Sequence, residues 1–374
     1  MLPLEGIRIL DFGRVLSAPY GTMTLADLGA DVVKIEHPEN GDDTRSFGPP
    51  FVNDVSTYFL SINRGKRSVT LDLKTEEGRK TAKDLALKAD VLVENFRAGV
   101  MERLGLGHDV LLREHPRLIY CSLTGFGLKN AGKPGYDLMM QGLSGIPSIT
   151  GPVDGEPYKC GASIADLVAG MNLSQGILTA LYRRERTGKG GLVDVSMMDG
   201  MLSLLTYHAS AYLNAGVAPI RKGNGHPSIH PFQPYRCLDG YLNICVGNDL
   251  LFEKFAVAID KEFLLFDYRF KTNPLRVQYR EDLDQIITPV LGSKNKLEWK
   301  NILQKQGVPA DIVATVPEAL ELASTVEHEH PNGGASVLSL QLPFGIDDTP
   351  RGAKRRAPRL GEHTQEVQDE WLSE

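Results

Sequence analysis

The sequence predicts an α/β protein with an open, parallel, Rossmann-like sheet covered by helices, to which a smaller α+β domain is added. Three observations support this fold class. The chain has 374 residues, more than one average domain needs. Short β-branched runs alternate with helix-length segments in its first half, as in βαβ units. The character of the sequence then changes after about residue 215.

The first βαβ unit is predicted from a strand at residues 7–11, a helix at 20–28 and a strand at 32–36. The same alternation continues along the chain. It predicts a long helix at 164–186 and further strands at residues 68–73, 91–94, 118–122 and 192–196. Because strands joined through helices run in the same direction, a parallel sheet is expected.

Composition changes suggest the domain boundaries. Residues 1–215 are predicted to form the first part of a large domain, and 216–240, rich in Pro, Gly and His, a linker. Residues 241–340 are predicted to form the small domain. The remaining segment, 341–374, is too short to fold alone and is expected to return to the large domain.

Charge and cysteine usage exclude several partners. The net charge of −6 provides no basic face, so nucleic acid is not expected as a partner. The four cysteines are widely spaced, no secretory leader is recognised, and no apolar stretch approaches the roughly 20 residues that span a bilayer. We therefore expect a cytoplasmic protein without a membrane partner.

Several cofactor motifs do not fit the chain. The turn after the first strand, residues 11–18, lacks the glycine pattern that binds a dinucleotide pyrophosphate. A phosphate-binding P-loop and a serine nucleophile elbow are also not found. The histidines lack the spacing of a zinc site. No metal and no tightly bound cofactor are expected.

Five segments nevertheless resemble a known family in order along the chain. They read LEGIRILD, ADLGADVVKIE, NRGKRS, VENF and APRLGEHT, and begin at residues 4, 26, 63, 93 and 357. Together they strongly resemble the class III CoA-transferase and 2-methylacyl-CoA racemase superfamily. The resemblance implies a large CoA-binding domain built from both chain ends, an interlocked homodimer, and CoA as a substrate rather than a resident cofactor.

The resemblance points to Asp166 as the aspartate that both branches of the superfamily use. From the residues alone, a helix N-cap is the favoured interpretation of Asp166, and the resemblance reverses that preference. The racemase branch has a histidine where this chain has Tyr136, and a tyrosine, with a pKa of about 10, exchanges protons poorly near neutral pH. This favours transfer of CoA to a carboxylic acid. A racemase or a catalytically silent acyl-CoA-binding protein remain the alternatives.

A carboxylate nucleophile suits CoA transfer because its acyl anhydride and its CoA thioester both keep the energy of the original thioester. Asp137 is expected to support Asp166 through a hydrogen bond. Gly247, after a strand of the small domain, is a candidate backbone donor to the oxyanion, although an ordinary turn explains it as well.

The resemblance also indicates the ligand contacts. It suggests Val15, Leu16 and Ala18 near the pantetheine of CoA, and a second group around the nucleotide, comprising His37, Lys66, Asn95, Phe96 and Arg103. Residues 42–51 and 56–58 resemble succinyl- or glutaryl-handling members. A dicarboxylic acceptor and a donor such as succinyl-CoA are therefore expected, with candidate contacts at Arg45, Tyr58, Arg64 and Tyr136. The residues Leu16 and His37 depart from the formyl-type pattern, which argues against formyl-CoA and oxalate.

Overall fold

The computed structural model describes residues 2–130, 132–334, 336–353 and 355–373. These form two compact units. Unit 1 comprises Met1–Ile146, Lys159–Gly216 and Ser324–Glu374, and unit 2 comprises Pro147–Tyr158 and Val217–Ala323.

The strands are β1 Arg8–Asp11, β2 Asp31–Glu36, β3 Phe51–Val52, β4 Val55–Ser56, β5 Arg67–Thr70, β6 Val91–Glu94, β7 Ile119–Thr124, β8 Gly191–Ser196, β9 Phe232–Cys237, β10 Gly240–Cys245, β11 Ala310–Ile312, β12 Thr325–His328 and β13 Val337–Leu340. The helices are α1 Ser17–Asp27, α2 Thr57–Ile62, α3 Glu76–Lys88, α4 Val100–Arg103, α5 His108–Glu114, α6 Asp137–Leu143, α7 Ile146–Ile149, α8 Ile164–Thr187, α9 Met197–Ser203, α10 Thr206–Ala215, α11 Asp249–Ala258, α12 Asn273–Gln278, α13 Arg280–Leu291, α14 Lys296–Lys305, α15 Val316–Leu320 and α16 Thr364–Leu372.

Unit 1 contains a six-stranded sheet in the order β5-β2-β1-β6-β7-β8, and all five strand pairs are parallel. The predicted parallel α/β sheet is thus confirmed. Its strands are apolar on both faces because helices cover both sides, and Val91, Leu92 and Val93 are completely buried. One face packs on α1 and α8, the other on α3, α5 and α16.

The strand order reverses between β1 and β6. From β1 the chain moves to β2 on one side, whereas β6 continues to β7 on the other. The loops after β1 and β6 therefore diverge, and a crevice opens at the carboxyl edge of the sheet. The ligand site of unit 1 is expected at this edge.

Helix α8, Ile164–Thr187, matches the long helix predicted at residues 164–186 within one residue. It is the one helix among the described residues that is long and apolar enough to cross a membrane, so the expectation that no such stretch exists is corrected. One side of α8 lies in the core through Ala169, Leu173 and Ile177. Its glycine Gly170 faces Gly21 of α1 so closely that a Cβ at either position would lie 2.5–2.6 Å from the other helix's backbone.

Unit 2 is built on the antiparallel sheet β11-β10-β9, whose apolar face packs on α11, α13 and α14. Residues 216–240, predicted as a linker, contain strand β9. The Pro- and Gly-rich part of this segment ends before Phe232, where the strand begins. The segment Pro147–Tyr158 also belongs to unit 2, where Arg221 donates to the carbonyls of Pro152 and Gly155. Residues 324–340, predicted in the small domain, belong to unit 1.

Candidate active site

The loop between β1 and α1 is held by side chains from other strands. Val15 has φ of +63°, a conformation that β-branched residues rarely adopt and that often marks a functional site. Asn95, just after β6, accepts a hydrogen bond from the Arg14 amide at 2.8 Å and donates to the Arg14 carbonyl at 2.9 Å. Asp11 accepts from the Gly13 amide at 2.8 Å. The loop is thereby fixed against the ends of β1 and β6.

A buried ion-pair network lies beneath this loop. Its six members are Asp11, Lys34, Glu36, Asp42, Arg45 and Lys66. Lys34 pairs with Asp42 at 2.8 Å and donates to the Gly13 carbonyl at 2.6 Å. Although burial opposes ionisation, the Lys34 charge and the hydrogen bonds from Thr44 outweigh it and lower the pKa of Asp42 to about 2. The network therefore stabilises the loop in its charged form.

Asp166 is the third residue of α8, whose N-cap is Ser163, so the alternative interpretation of Asp166 as the cap itself is wrong. Its carboxyl is partly buried and accepts a hydrogen bond from Ser17, at the start of α1. Burial, followed by the negative charge of Asp137, raises the pKa of Asp166 to about 6, while the Ser17 hydrogen bond opposes this shift.

Asp137 begins helix α6 and connects it to α8. One of its oxygens accepts from the Ala165 amide at 3.0 Å, and the other accepts from the Gln141 side chain at 2.8 Å. The expected supporting role of Asp137 therefore has a specific geometry: its carboxylate binds the backbone next to Asp166 and adds a negative charge there.

Two glycines bring this region to the edge of the sheet. A Cβ on Gly135 would lie 2.4 Å from Gly125, and one on Gly125 would lie 2.8 Å from Gly135, so a side chain at either position would displace the other backbone. Gly125 directly follows β7, and Gly135 immediately precedes Tyr136 and Asp137. Their close approach places the Tyr136–Asp137 segment beside the carboxyl ends of the strands.

A cavity of about 280 Å³ brings many of the predicted residues together. Catalytic candidates Asp166 and Asp137 line it, together with Tyr136 and three of the predicted CoA contacts, namely Val15, Asn95 and Phe96. Its remaining walls include Ser17, Met197 and the charged residues Arg14, Asp43, Arg97 and Lys133.

A second cavity, of about 490 Å³, contains His37. Arg14, Asp43 and Phe96 line both cavities, so the two adjoin along the crevice. The smaller cavity contains Asp137 and Asp166. The larger one combines acidic residues, among them Glu39 and Asp72, with apolar walls from Phe12, Ile35, Leu71, Leu73 and Leu104. This arrangement suits a long ligand with a reactive group at one end.

Three basic residues predicted to contact ligand have internal partners instead. The Lys66 ammonium is fully buried and donates to Asp11, Asn63 and the Pro19 carbonyl within 3.1 Å. Arg64 binds both carboxylate oxygens of Asp27, at 3.0 and 2.6 Å. Arg45 binds both oxygens of Glu36 at 2.7 Å. These donors already have partners within the chain, and the predicted contacts of Lys66 with a phosphate and of Arg45 and Arg64 with a distal carboxylate stay predictions.

The other predicted residues have varied locations. Leu16 and Ala18 are buried beneath the loop, and Arg103 is exposed at the end of α4. Tyr58 lies near the carboxylates: burial first, and then the charges of Asp166, Asp137 and Asp42, raise its pKa. Gly247 is exposed in unit 2 and precedes Asn248, the N-cap of α11.

Sequence reasoning missed two residues that contact the carboxylates. Ser17 was noted only as part of a loop, yet it donates to Asp166. Gln141 is completely buried and donates to Asp137. Its position four residues after Asp137 on one helix face was the available signal. No group of three or more potential metal ligands occurs within the described parts of the chain.

The fold and the site together place a carboxylate of raised pKa in a crevice at the carboxyl edge of a parallel sheet. The model of CoA-transferase family III matches residues 4–364. This chain belongs to that family and is a CoA-transferase.

Relatives and solved structures agree along the whole chain. Succinyl-CoA:glutarate CoA-transferase of Mus musculus is 37% identical over 381 residues, covering 100% of this chain and 87% of that protein. Acetyl-CoA:oxalate CoA-transferase of Acetobacter aceti is 40% identical over 376 residues, covering 99% and 96%. The crystal structure of a CAIB/BAIF family protein from Brucella suis has a TM-score of 0.87 and 39% identity, covering 99% of both chains.

Proposed function

We propose that this CoA-transferase moves CoA from an acyl-CoA such as succinyl-CoA to a dicarboxylic acid, with Asp166 as the nucleophile. The observation that carries the proposal is the position of Asp166, in a cavity at the carboxyl edge of the sheet with a pKa of about 6. Such a group is ionised at neutral pH and yet more basic than an ordinary aspartate, which favours nucleophilic attack.

The proposed reaction has four balanced steps. An Asp166 oxygen attacks the acyl carbonyl, the carbon–sulfur bond breaks, and CoA leaves as a thiolate. The thiolate attacks the Asp166 carbonyl of the resulting anhydride, releasing the first acid and forming an aspartyl thioester. The acceptor carboxylate attacks this thioester and expels the thiolate. The thiolate finally attacks the acceptor's carbonyl, which forms the new acyl-CoA and restores the Asp166 carboxylate.

The adjoining cavities support a placement for CoA. We infer that the nucleotide occupies the 490 Å³ cavity with His37, and that the pantetheine passes Phe96 and Val15 towards Asp166. Asn95 supports this path indirectly, because its side chain holds the Arg14 backbone. CoA is thus a substrate in this proposal, and no resident cofactor takes part.

The acceptor needs a positive partner for its second carboxylate. With Arg45 and Arg64 paired internally, the cations that line the smaller cavity are Arg14, Arg97 and Lys133. Arg14 is bound to Asp43 at 2.8 Å, which leaves Arg97 and Lys133 as our candidates. Since a relative acts on oxalate, itself a dicarboxylic acid, the sequence argument against oxalate has no support, and oxalate belongs in the acceptor panel.

Racemase activity is less compatible with the site. Tyr136 is 63% exposed and stands where an acid–base histidine would be needed. Tyr58, the other tyrosine near Asp166, has a pKa raised by burial and by the nearby carboxylates, so it remains protonated at neutral pH.

We also infer that the chain acts as a homodimer. Unit 1 exposes large apolar side chains on helices α8 and α10, including Met171, Tyr182 and Leu213 at 53%, 66% and 77% exposure. A second copy covering these faces would remove this apolar surface from water. Sedimentation should then give twice the chain mass of 41.1 kDa, and a monomer at micromolar concentration would contradict the inference.

One incubation distinguishes the candidate activities. The protein is mixed with succinyl-CoA and, separately, with glutarate, oxalate and other dicarboxylic acids in deuterated water, and products are identified by mass spectrometry. New acyl-CoA species support the proposal. Deuterium at the α-carbon of a 2-methylacyl-CoA without new species indicates a racemase, and binding without either product indicates a silent family member.

A further inference from the structure

The side chain of Gln141 lies between the two segments that form the carboxylate pair, Asp137 and Asp166. It is completely buried on helix α6. Its oxygen accepts from the Cys160 amide at 2.8 Å, and its nitrogen donates to the Asp137 carboxylate at 2.8 Å. The same residue therefore contacts both α6 and the segment that leads into α8.

The orientation of this amide is determined by backbone groups. The Cys160 N–H can only donate, so it must face the Gln141 oxygen. The Ala162 carbonyl can only accept, and it lies 3.4 Å from the Gln141 nitrogen. A flipped amide would therefore oppose like groups at both contacts. The nitrogen consequently faces Asp137 as a donor.

Both oxygens of Asp137 then accept hydrogen bonds from donors of fixed polarity. The Ala165 amide donates to one oxygen, and Gln141 donates to the other. This arrangement holds the Asp137 carboxylate in place against the backbone of Ala165, one residue before Asp166. Asp166, by contrast, accepts from Ser17, whose hydroxyl can also turn and accept.

We propose that Gln141 is a positioning residue that holds the Asp137 carboxylate beside the start of α8, so that its negative charge acts on Asp166. The inference rests on the proposed function for its catalytic meaning. The negative charge of Asp137 makes the Asp166 nucleophile more basic, and the repulsion between the two carboxylates ends once Asp166 is acylated and no longer charged. Charged and titratable groups that line the same cavity or act on the pair are Arg14, Asp43, Arg97, Lys133 and Tyr58.

The test reads protonation at each carboxyl without any CoA present. A water-soluble carbodiimide with an amine labels protonated carboxyl groups, and the extent of labelling is followed from pH 4 to pH 8. Trypsin cleavage after Lys159 places Asp137 and Asp166 in separate peptides, so mass spectrometry measures each one separately. In the unaltered protein, labelling of Asp166 is expected to have its midpoint at about pH 6.

In Gln141→Leu, the Asp166 midpoint is expected to fall by about one pH unit, because the Asp137 charge is no longer held beside it. Gln365→Leu is the matched control, because Gln365 donates to Asp369 at 2.8 Å on the exposed side of helix α16. That control should leave the Asp166 midpoint unchanged.

Asp137→Asn tests the same coupling from the other side. It should lower the Asp166 midpoint, and adding Gln141→Leu to it should cause no further change, since Gln141 acts through Asp137. This variant also serves if Gln141→Leu does not fold. An Asp166 midpoint that is the same in Gln141→Leu, or in Asp137→Asn, as in the unaltered protein overturns the inference.

The labelling result is independent of the proposed function. If the unaltered protein exchanges no CoA but shows the expected midpoints, the proposed function fails and the role of Gln141 stands. If CoA exchange is rapid but Gln141→Leu leaves the midpoint unchanged, the role of Gln141 fails and the proposed function stands.

Discussion

Two acid-rich regions of unit 1 lie close to the loop between β1 and α1 but differ in whether their buried carboxylates have cationic partners. In the ion-pair network, every carboxylate has a cationic partner, as in Asp42 with Lys34 and Glu36 with Arg45. In the carboxylate pair, Asp166 and Asp137 line the same cavity, and neither forms an ion pair within the described residues 2–130, 132–334, 336–353 and 355–373. The network stabilises the fold, whereas the unpaired charges of Asp137 and Asp166 raise the free energy of the folded state.

The direction of the pKa shift distinguishes the two regions. Burial alone raises the pKa of any carboxyl, but the cations of the network reverse the effect and lower the pKa values of Asp42 and Glu36. At Asp166 the neighbouring charge adds to the effect of burial. A carboxyl that is left unpaired in a crevice is a candidate for chemistry, and a paired one for structure.

The largest effect that separates the regions is expected from Asp166→Ala. CoA transfer should fall by about 10³-fold or more because the nucleophile is removed, while folding and acyl-CoA binding should persist. Asp199 is the matched control, since it occupies the third position of the neighbouring helix α9 and is exposed. Asp199→Ala should retain activity in the same exchange assay. Substantial turnover by Asp166→Ala would show that another group is the nucleophile.

The next effect concerns the network. Lys34→Met leaves the buried Asp42 carboxylate without its cation and should reduce the free energy of unfolding by about 3–5 kcal/mol. The exposed pair of Lys83 and Glu114 has nearly the same separation, 2.7 Å against 2.8 Å, so Lys83→Met should cost only about 0–1 kcal/mol. Urea unfolding measures both values. Equal losses in the two variants would mean that burial does not govern the strength of the Lys34 pair.

Asp166→Asn is expected to have a smaller effect on the free energy of unfolding than Lys34→Met, and to raise it rather than lower it. The pKa of Asp166 is raised from 3.8 to about 6 in the folded protein, so its stabilising contribution is complete below about pH 4 and is lost as the pH rises through about 6. The Asn variant should therefore be more stable at pH 7.5, by on the order of 1–2 kcal/mol. Asp42 has the reverse dependence: its contribution is present above about pH 4 and lost as the pH falls towards 2.

Unfolding curves at pH 4.5 and pH 7.5 test this contrast. The stability difference between Asp166→Asn and the unaltered protein should grow as the pH rises. A variant that is less stable at pH 7.5 would indicate that the Asp166 carboxylate makes a stabilising contact rather than storing charge.

The smallest effect is expected at the far end of the crevice. His37 is exposed and lines the 490 Å³ cavity, away from the carboxylates. His37→Ala should therefore raise the KM for acyl-CoA a few-fold with little change in kcat, because it removes a contact that substrate and transition state share. Initial rates over a range of acyl-CoA concentrations separate the two constants. A fall in kcat with unchanged KM would place His37 in the chemical step.

The fold was largely predictable because it depends on local pattern. The alternation of β-branched runs with helical segments indicated the parallel sheet of unit 1, and the observed strands match the expected ones within a few residues. The segment predicted as a linker, 216–240, contains strand β9, which Pro and Gly in one part concealed and which is defined by its pairing with β10. Pairing between strands is not visible in local composition.

The site was only partly predictable because the sequence does not show which group a charged side chain will pair with in the folded protein. Lys66 and Arg64 were expected to meet ligand, yet both are satisfied inside the fold by Asp11 and Asp27. Ser17 was overlooked for the opposite reason. Its contact with Asp166 depends on the close crossing of α1 and α8 at Gly21 and Gly170, which joins positions roughly 150 residues apart.

The most direct test of the central claim is to trap an acyl group on Asp166 during turnover. Hydroxylamine added with succinyl-CoA and acceptor should convert an activated Asp166 to a hydroxamate, because an anhydride or thioester reacts with the amine and a free carboxylate does not. Peptide mass spectrometry should find the adduct on Asp166 only when acyl-CoA is present. An adduct on Asp137, or none on any carboxylate during steady turnover, would contradict the account.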